Sequence, residues 1–182
     1  MALTDLAHTL IRTHFSSKPK LSAVDATCGN GLDTEFLVKL GFHRIHAFDI
    51  QSTAIQATKD RLSKDKAILV ELHQTNHKDI ASFVDQKVDC IMFNFGYLPG
   101  GDKTITTTAN TTIHALNSAS KLLNCGGLMS LMCYPGHPNG TIETKAIKEW
   151  LSNLEDNFIV ETHLAESPKP TAPILYLVKL QR

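Results

Sequence analysis

The sequence predicts an α/β fold with a seven-stranded, mostly parallel sheet that ends in an antiparallel hairpin and carries helices on both faces. Short apolar runs and segments of helical periodicity alternate five times, which is typical of strands and crossover helices in a parallel sheet. Two apolar runs then finish the chain, separated by the Pro-rich stretch 166–173, which predicts the hairpin. The 182 residues suit a single domain, 1–182, whose first helix lies within residues 1–18.

The first half of the chain opens with residues 3–15, where apolar side chains recur at helical spacing until Ser16-Ser-Lys-Pro19 ends the helix. A second helix stops at Gly41, the residue type that most often follows the last turn of a helix. In chain order the predicted elements are strand 21–25, helix 31–40, strand 44–49, helix 51–63, strand 67–72 and a short helix near 77–84.

The second half begins with the apolar run Val-Asp-Cys-Ile-Met-Phe, a buried strand over 88–93. The loop 94–108 is rich in Gly, Pro and Thr, and Gly126-Gly127 follows the next helical pattern. The remaining predicted elements are helix 109–124, strand 127–133, helix 141–155, and strands 157–165 and 173–180.

A glycine turn between the first strand and its helix predicts a ligand site. The strand ends in Asp25, glycines stand at 29 and 31, and a helical pattern starts at Leu32. Glycine lets a ligand approach the main chain, and the helix that follows points free N–H groups into the same space. Asp49 ends the second strand 20 residues after Gly29, where a carboxylate is placed to accept hydrogen bonds from a ribose. The ligand should therefore contain a nucleotide.

The turn does not fit the dinucleotide fingerprint Gly-x-Gly-x-x-Gly, because Thr34 stands at the third glycine position. An NAD-type oxidoreductase remains an alternative that this substitution and the terminal hairpin weigh against. The pattern Asp25-x-Thr27-x-Gly29-x-Gly31 resembles motif I of the Rossmann-like class I methyltransferases that use S-adenosylmethionine (SAM), with Thr27 in place of the first glycine.

This resemblance implies a SAM site over the glycine turn, with the ribose on Asp49 and the adenine near Asn76 and His77. Asp25 and Asp33 would shape the methionine end, where Asp33 faces the ammonium group. The full set of expected cofactor-binding residues is Asp25, Thr27, Gly29, Asn30, Gly31, Asp33, Thr34, Asp49, Gln51, Asn76, His77 and Asn94.

Composition narrows the class of protein. The net charge is zero, which argues against a large basic footprint for nucleic acid, although a local patch or the groove of a homodimer would still serve for RNA. No apolar run approaches the ~18 residues of a membrane span, and the N-terminus lacks the basic region of a signal peptide. The four cysteines form no Cys-x-x-Cys pair, so we interpret them as reduced thiols of a cytoplasmic protein.

The loop after the third strand contains His73 and His77, four residues apart. On a helix they would face one metal ion, but the segment straddles a strand end and no third ligand lies nearby in the sequence. We therefore expect no metal site.

The loop after the fourth strand is the second strong feature. Loops usually contain few aromatic or large apolar side chains, yet Phe95, Tyr97 and Leu98 lie here among glycines. The string Asn94-Phe-Gly-Tyr97 occupies the place of the Asn/Asp-Pro-Pro-Tyr motif of methyltransferases that modify nitrogen atoms, with Phe-Gly in place of Pro-Pro. In those enzymes the Asn side chain accepts a hydrogen bond from the amine. Asn94 and Tyr97 are therefore expected to take part in catalysis.

The loop after the fifth strand adds His137, in Tyr-Pro-Gly-His. An alkyl ammonium must lose a proton before it attacks a methyl group, and histidine can take up a proton near neutral pH. His137 is one candidate for this base; Asp102 and Tyr97 are rivals.

The longer string Asn-Phe-Gly-Tyr-Leu-Pro-Gly-Gly-Asp-Lys (94–103), together with the segments around Asp25 and Asp49, closely resembles one bacterial family of small SAM-dependent enzymes. That family was first described as rRNA methylases, and some members are tRNA 5-(aminomethyl)-2-thiouridine methyltransferases. The resemblance implies methylation of the aminomethyl nitrogen at the wobble uridine, with the tRNA anticodon region as partner. The residues alone leave open rRNA, another amine, or a non-catalytic RNA-binding module.

Overall fold

The computed structural model describes residues 2–62, 69–98, 100–102, 104–165 and 169–181. The strands are β1 (Ser22–Asp25), β2 (Arg44–Asp49), β3 (Val70–Gln74), β4 (Val88–Asn94), β5 (Leu123–Cys133), β6 (Phe158–Leu164) and β7 (Ile174–Leu180). The helices are α1 (Leu3–His14), α2 (Leu32–Leu40), α3 (Ser52–Arg61), α4 (Ala109–Leu122) and α5 (Pro138–Ser152), with a 3-10 helix at His77–Ser82.

The strands form one sheet in the order β3-β2-β1-β4-β5-β7-β6. β1 to β5 are parallel to one another, whereas β7 runs antiparallel to both β5 and β6. The predicted fold class is therefore confirmed, including the terminal hairpin. The strand order reverses between β1 and β4, and ligands of such sheets bind at the carboxyl ends of the strands on either side of this point.

Apolar side chains cover both faces of the sheet. On β2, Ile45 and Ala47 belong to the core that α1 and α2 complete, whereas Phe48 belongs to the core on the opposite face. This alternation is the period of two that a strand imposes. Helices thus cover both faces, as predicted. Within the described residues, no helix has both the length and the apolar character needed to cross a bilayer.

Element boundaries differ from the predictions where tertiary pairing decides them. β5 begins at Leu123, because Leu123 pairs with Val88 across a register shift; the sequence predicted helix up to 124 and a strand from 127. α5 begins at Pro138 rather than 141, and the short helix near 77–84 is a 3-10 helix. Gly41 ends α2 with φ of 96°, as expected. The predicted residue 63 of the third helix and residues 67–68 of the third strand lie outside the described residues.

Candidate active site

A cleft of about 620 Å³, open to solvent, lies at the carboxyl ends of β1, β2, β3 and β4. It is where the switch in strand order predicts a ligand. The predicted site residues that line it are Thr27, Gly29, Asp49, Gln51, Asn76, His77, Asn94 and Tyr97.

The glycine turn brings the backbone to the floor of this cleft. Gly29 and Gly31 have φ of 50° and 76°, a region that favours glycine. A Cβ on Gly31 would lie 2.8 Å from Thr58 Cα, so Gly31 is needed for close packing against α3. The Thr58 hydroxyl donates to the Gly29 carbonyl at 3.2 Å, and Arg61 Nε donates to the Asn30 carbonyl at 2.6 Å. Gly31 and Asn30 therefore attach the turn to α3, while Gly29 faces the cleft.

Asp49 joins two loops at the cleft wall. Its Oδ2 accepts a hydrogen bond from the Gly29 N–H at 3.1 Å, and its Oδ1 accepts one from the Gln51 N–H at 2.9 Å. Burial raises the pKa of this carboxyl, and the backbone donors oppose that rise. Each oxygen keeps a further lone pair. Asp49 can therefore accept two hydroxyl groups of a ligand while its own position is fixed by the backbone.

Asp25 lies beneath the turn and does not line the cleft. It is fully buried, and it accepts hydrogen bonds from the Thr34 hydroxyl at 2.6 Å and from the Thr27 N–H at 3.3 Å. Burial, reinforced by the negative charge of Asp33, raises the pKa of the Asp25 carboxyl to about 7. Asp25 and Thr34 thus shape the turn from below rather than contact a ligand.

The raised pKa of Asp25 predicts a pH-dependent difference in stability. Between an unfolded pKa of about 4 and the folded value, the native state binds a proton that the unfolded chain lacks. The free energy of unfolding therefore falls as pH rises, by at most about 1.4 kcal/mol per pH unit from this group. Asp25→Asn should gain stability relative to the unmodified chain as pH rises from about 5 to about 8, measured by urea denaturation. The exposed Asp60→Asn is the control, and a pH-independent difference for Asp25→Asn would contradict the expectation.

Asn94 is held by a chain of polar contacts that begins on α1. His8 Nε2 lies 2.6 Å from Asp33 Oδ1, and the His8 ring stacks on Phe36 with centroids 3.9 Å apart. Asp33 Oδ2 in turn accepts a hydrogen bond from Asn94 Nδ2. The Asn94 backbone N–H donates to the Thr27 hydroxyl at 2.7 Å. Asp33 is therefore engaged with the side chain of Asn94, and α1 contributes to the site through His8, which sequence analysis did not single out.

A second set of hydrogen bonds fixes the loop that carries Tyr97. Thr107 Oγ1 accepts a hydrogen bond from the Gly96 N–H and donates one to Glu143 Oε2, both at 2.8 Å. The Thr112 hydroxyl donates to Glu143 Oε1 at 2.6 Å. Burial raises the pKa of Glu143. This buried carboxyl of α5 thus anchors the loop, and sequence analysis missed it because its partners lie 31 and 36 residues away.

The three candidates for a base differ in placement. Tyr97 lines the cleft with 38% of its surface exposed, and its ring centroid lies 5.6 Å from that of His137. His137 caps α5: its Nδ1 accepts from the Gly140 N–H at 3.1 Å. That contact places the proton of the neutral ring on Nε2. Asp102 is exposed and accepts from the Thr104 N–H at 2.8 Å and hydroxyl at 2.7 Å, so its side chain closes a turn outside the cleft lining.

The far end of the cleft carries Asn76 and His77. Asn76 Oδ1 accepts from the Lys78 N–H at 3.0 Å, which leaves its amide NH₂ for a ligand. Burial lowers the pKa of His77 to about 4, so the ring is neutral at pH 7. His77 Nε2 is buried and has no hydrogen-bond partner among the described residues. A buried polar atom of this kind in a cleft wall indicates a ligand that supplies the missing partner.

Comparison with known proteins identifies the family. The family described as "Putative rRNA methylase" matches residues 45–179. This chain belongs to that family. A curated relative, the chloroplastic tRNA (mnm(5)s(2)U34)-methyltransferase of Arabidopsis thaliana, is 36% identical over 168 residues, which are 85% of this chain and 61% of the relative. This rRNA methylase family member thus spans less than two thirds of that protein's length.

Solved structures agree with the family. A protein from Clostridium thermocellum, described as "putative rRNA-methylase", is 35% identical, with a TM-score of 0.90 over 97% of this chain and 96% of that one. A protein from Streptococcus mutans, described as "a putative methyltransferase" and solved in complex with SAH, is 27% identical, with a TM-score of 0.87 over 99% of this chain and 98% of that one. The class I methyltransferase fold is confirmed, and with it the cofactor expected of this family, SAM.

The cleft of this family member fits that cofactor. SAM carries an adenine, a ribose diol and a methionine end, and the cleft offers the unpaired His77 Nε2, the Asp49 carboxyl and the turn at Gly29 in the same order. The three groups follow β3, β2 and β1, which are adjacent in the sheet.

Proposed function

We propose that this chain transfers a methyl group from SAM to the aminomethyl nitrogen of 5-aminomethyl-2-thiouridine at the wobble position of tRNA. The observation that carries the proposal is Asn94, a fixed amide at the end of β4 that lines the cleft beside Tyr97. The name of the Arabidopsis relative supports the choice of tRNA.

The cofactor end of the proposed mechanism uses backbone and carboxylate groups. Asp49 accepts the ribose hydroxyls, the buried His77 Nε2 meets the adenine edge, and Gly29 lets the methionine end approach the turn. Bound SAM supplies an electrophilic methyl group on a sulfonium. The residues of the chain contribute position: a fixed carboxyl and a fixed turn hold the methyl donor in one orientation, which is the main source of rate in a displacement of this kind.

The substrate end uses Asn94 and Tyr97. Because Asn94 Nδ2 donates to Asp33, Oδ1 is the atom left to accept a hydrogen bond from the amine. This contact directs the nitrogen lone pair toward the methyl group. The partly exposed ring of Tyr97 offers a face on which a splayed-out base can stack, as is usual for single-stranded RNA. The centroid of the His137 ring lies 5.6 Å from that of Tyr97, and its buried Nε2–H, which has no partner among the described residues, is the donor that we assign to a carbonyl of the base.

The same geometry predicts the pH dependence of the reaction. His137 Nδ1 accepts from the Gly140 N–H, so the ring is arranged as a donor and not as a base. The amine then has to arrive deprotonated, and its neutral fraction rises tenfold per pH unit below an alkyl-amine pKa of about 10. We expect kcat/KM to rise about tenfold per unit between about pH 6.5 and 8.5, in His137→Gln as in the unmodified chain. A plateau near neutral pH that disappears in His137→Gln would return the role of base to His137.

The proposal is tested with labelled SAM and tRNA from cells that accumulate the unmethylated 5-aminomethyl-2-thiouridine, followed by nucleoside mass spectrometry. The expected product is the methylaminomethyl nucleoside. A protein that binds SAH but forms no such product on this tRNA would refute the proposed substrate, and ribosomal RNA would be the next substrate to assay. A homodimer and a cytoplasmic location remain predictions, and the first is checked by the mass of the protein in solution.

A further inference from the structure

A polar cluster outside the cleft lining connects β2 and β3, the two strands at one edge of the sheet. His46 lies on β2, and Glu71 and His73 lie on β3. His46 Nδ1 is 3.1 Å from His73 Nε2 and 3.8 Å from Glu71 Oε2. One ligand atom from each of the three side chains lies within 4.8 Å of the other two, and among the described residues this is the one His/Cys/Asp/Glu group with that property.

The sheet itself brings these residues together. In the parallel register of β2 and β3, His46 is opposite Glu71 and Phe48 is opposite His73. Residues two apart on a strand share a face, so all three side chains project from the same side. The His73 ring is confined between Phe48, at 4.6 Å, and Phe83, at 4.8 Å. The arrangement therefore follows from rigid strands rather than from a loop.

We propose that His46, Glu71 and His73 bind a divalent cation of the zinc type. Two imidazole nitrogens and one carboxylate oxygen are a common three-residue ligand set for zinc, with a fourth position left for water. Bonds of about 2.0–2.1 Å in a tetrahedral site place two ligating nitrogens roughly 3.3 Å apart, close to the distance between His46 Nδ1 and His73 Nε2. Glu71 is exposed, so the fourth position opens to solvent.

A basic side chain beside the cluster holds its carboxylate in place. Among the described residues, Arg44 and Asp85 are the charged side chains outside the cluster whose electrostatic effect reaches His46. Arg44 Nε donates to Glu71 Oε1 at 2.8 Å, which fixes the carboxylate and leaves Oε2 toward His46. Outer contacts of this kind orient metal ligands.

The cation would act on structure rather than on the methyl-transfer chemistry. His73 precedes Thr75 by two residues and Phe48 precedes Asp49 by one, and both Thr75 and Asp49 line the cleft. A metal shared by β2 and β3 would fix the outer strand of the sheet just before the segments that line the cofactor cleft. This inference does not depend on the proposed substrate.

The experiment uses the full chain, stripped with a chelator and titrated with Co²⁺ and then Zn²⁺. We expect the visible absorption of tetrahedral Co²⁺, one Zn²⁺ per chain by mass spectrometry, and a melting temperature that rises by a few degrees with Zn²⁺. His73→Ala should weaken Zn²⁺ binding by more than about 100-fold, and Arg44→Gln by roughly 10-fold.

Two further variants make the test specific. Glu71→Gln changes an exposed side chain, so it should fold, and it should weaken Zn²⁺ binding by at least about tenfold. His163→Ala is the matched control. Glu161 and His163 on β6 repeat the Glu-x-His spacing, and His163 Nε2 lies 3.9 Å from Glu161 Oε2. Among the described residues, however, this pair belongs to no group of three possible metal ligands. It should bind Zn²⁺ as the unmodified chain does.

The absence of Co²⁺ absorption in the unmodified chain would overturn the proposal, and the two histidines would then share one N–H···N hydrogen bond beside an ordinary Arg44–Glu71 ion pair. Zn²⁺ binding that survives both His73→Ala and Glu71→Gln, or that is lost in His163→Ala, would overturn it as well. None of these readouts involves methyl transfer, so failure here is distinguishable from failure of the proposed function.

Discussion

Asn94→Ala should lower turnover by about 100-fold or more while SAH affinity stays within about threefold. The substitution removes the only side-chain oxygen that we assign to the amine, whereas the backbone N–H of residue 94 still donates to Thr27 and keeps the turn in place. Single-turnover methyl transfer and calorimetric titration with SAH measure the two quantities separately. Asn117→Ala is the control, because that asparagine of α4 accepts from Trp150 Nε1 and does not line the cleft.

The hydrogen bond between Asn94 and Asp33 allows a second test of the role of Asn94. Asp33→Ala should lower kcat less than Asn94→Ala does, because the amide of Asn94 remains but loses the partner that orients it. The double variant should be no slower than Asn94→Ala alone, since residues that act through one contact are not additive. Additive losses would mean that Asp33 acts on the ligand directly, as the family resemblance implies. Unchanged turnover in Asn94→Ala would remove the amide from the mechanism.

Asp49→Ala should weaken SAH and SAM binding by about 100-fold or more. Hydrogen bonds to a charged group contribute about 1.5–3 kcal/mol each, and the variant loses two to the ribose. It also releases the Gly29 and Gln51 N–H groups that the carboxylate holds. Calorimetric titration with SAH is the measurement, with the exposed Asp60→Ala as control. An affinity within threefold of the unmodified chain, in a variant whose melting curve shows a folded protein, would contradict the ribose assignment.

Much of the fold was predictable because its cues are local. The glycines at 29 and 31, the acid at 49 and the C-cap at Gly41 each follow from a few neighbouring residues, and the alternation of elements follows from their periods. The start of β5 at Leu123 was not predictable in this way, because pairing with Val88 overrides the helical pattern that precedes it. The start of α5 at Pro138 could have been predicted from the sequence, because proline is favoured at the first position of a helix.

The site was less predictable where contacts join distant segments. His8 meets Asp33 across 25 residues, and Glu143 meets Thr107 across 36, with no motif that links them. In the sequence, His73 stands four residues from His77, a pair from which we expected no metal site, whereas the strand places His73 beside His46 and Glu71. The roles of His137 and Asp102 depended on which lone pairs the backbone already occupies, which a sequence does not reveal.

The antiparallel β7 has a consequence for how the chain is made. Of the strands in this sheet it is the last to leave the ribosome, yet it lies between β5 and β6. Until residues 174–180 emerge, β6 has no neighbour in the sheet and β5 presents an open edge. Open edges pair with other chains. Synthesis interrupted between β6 and β7 should therefore yield an aggregating fragment, whereas the addition of one seven-residue strand closes both gaps at once.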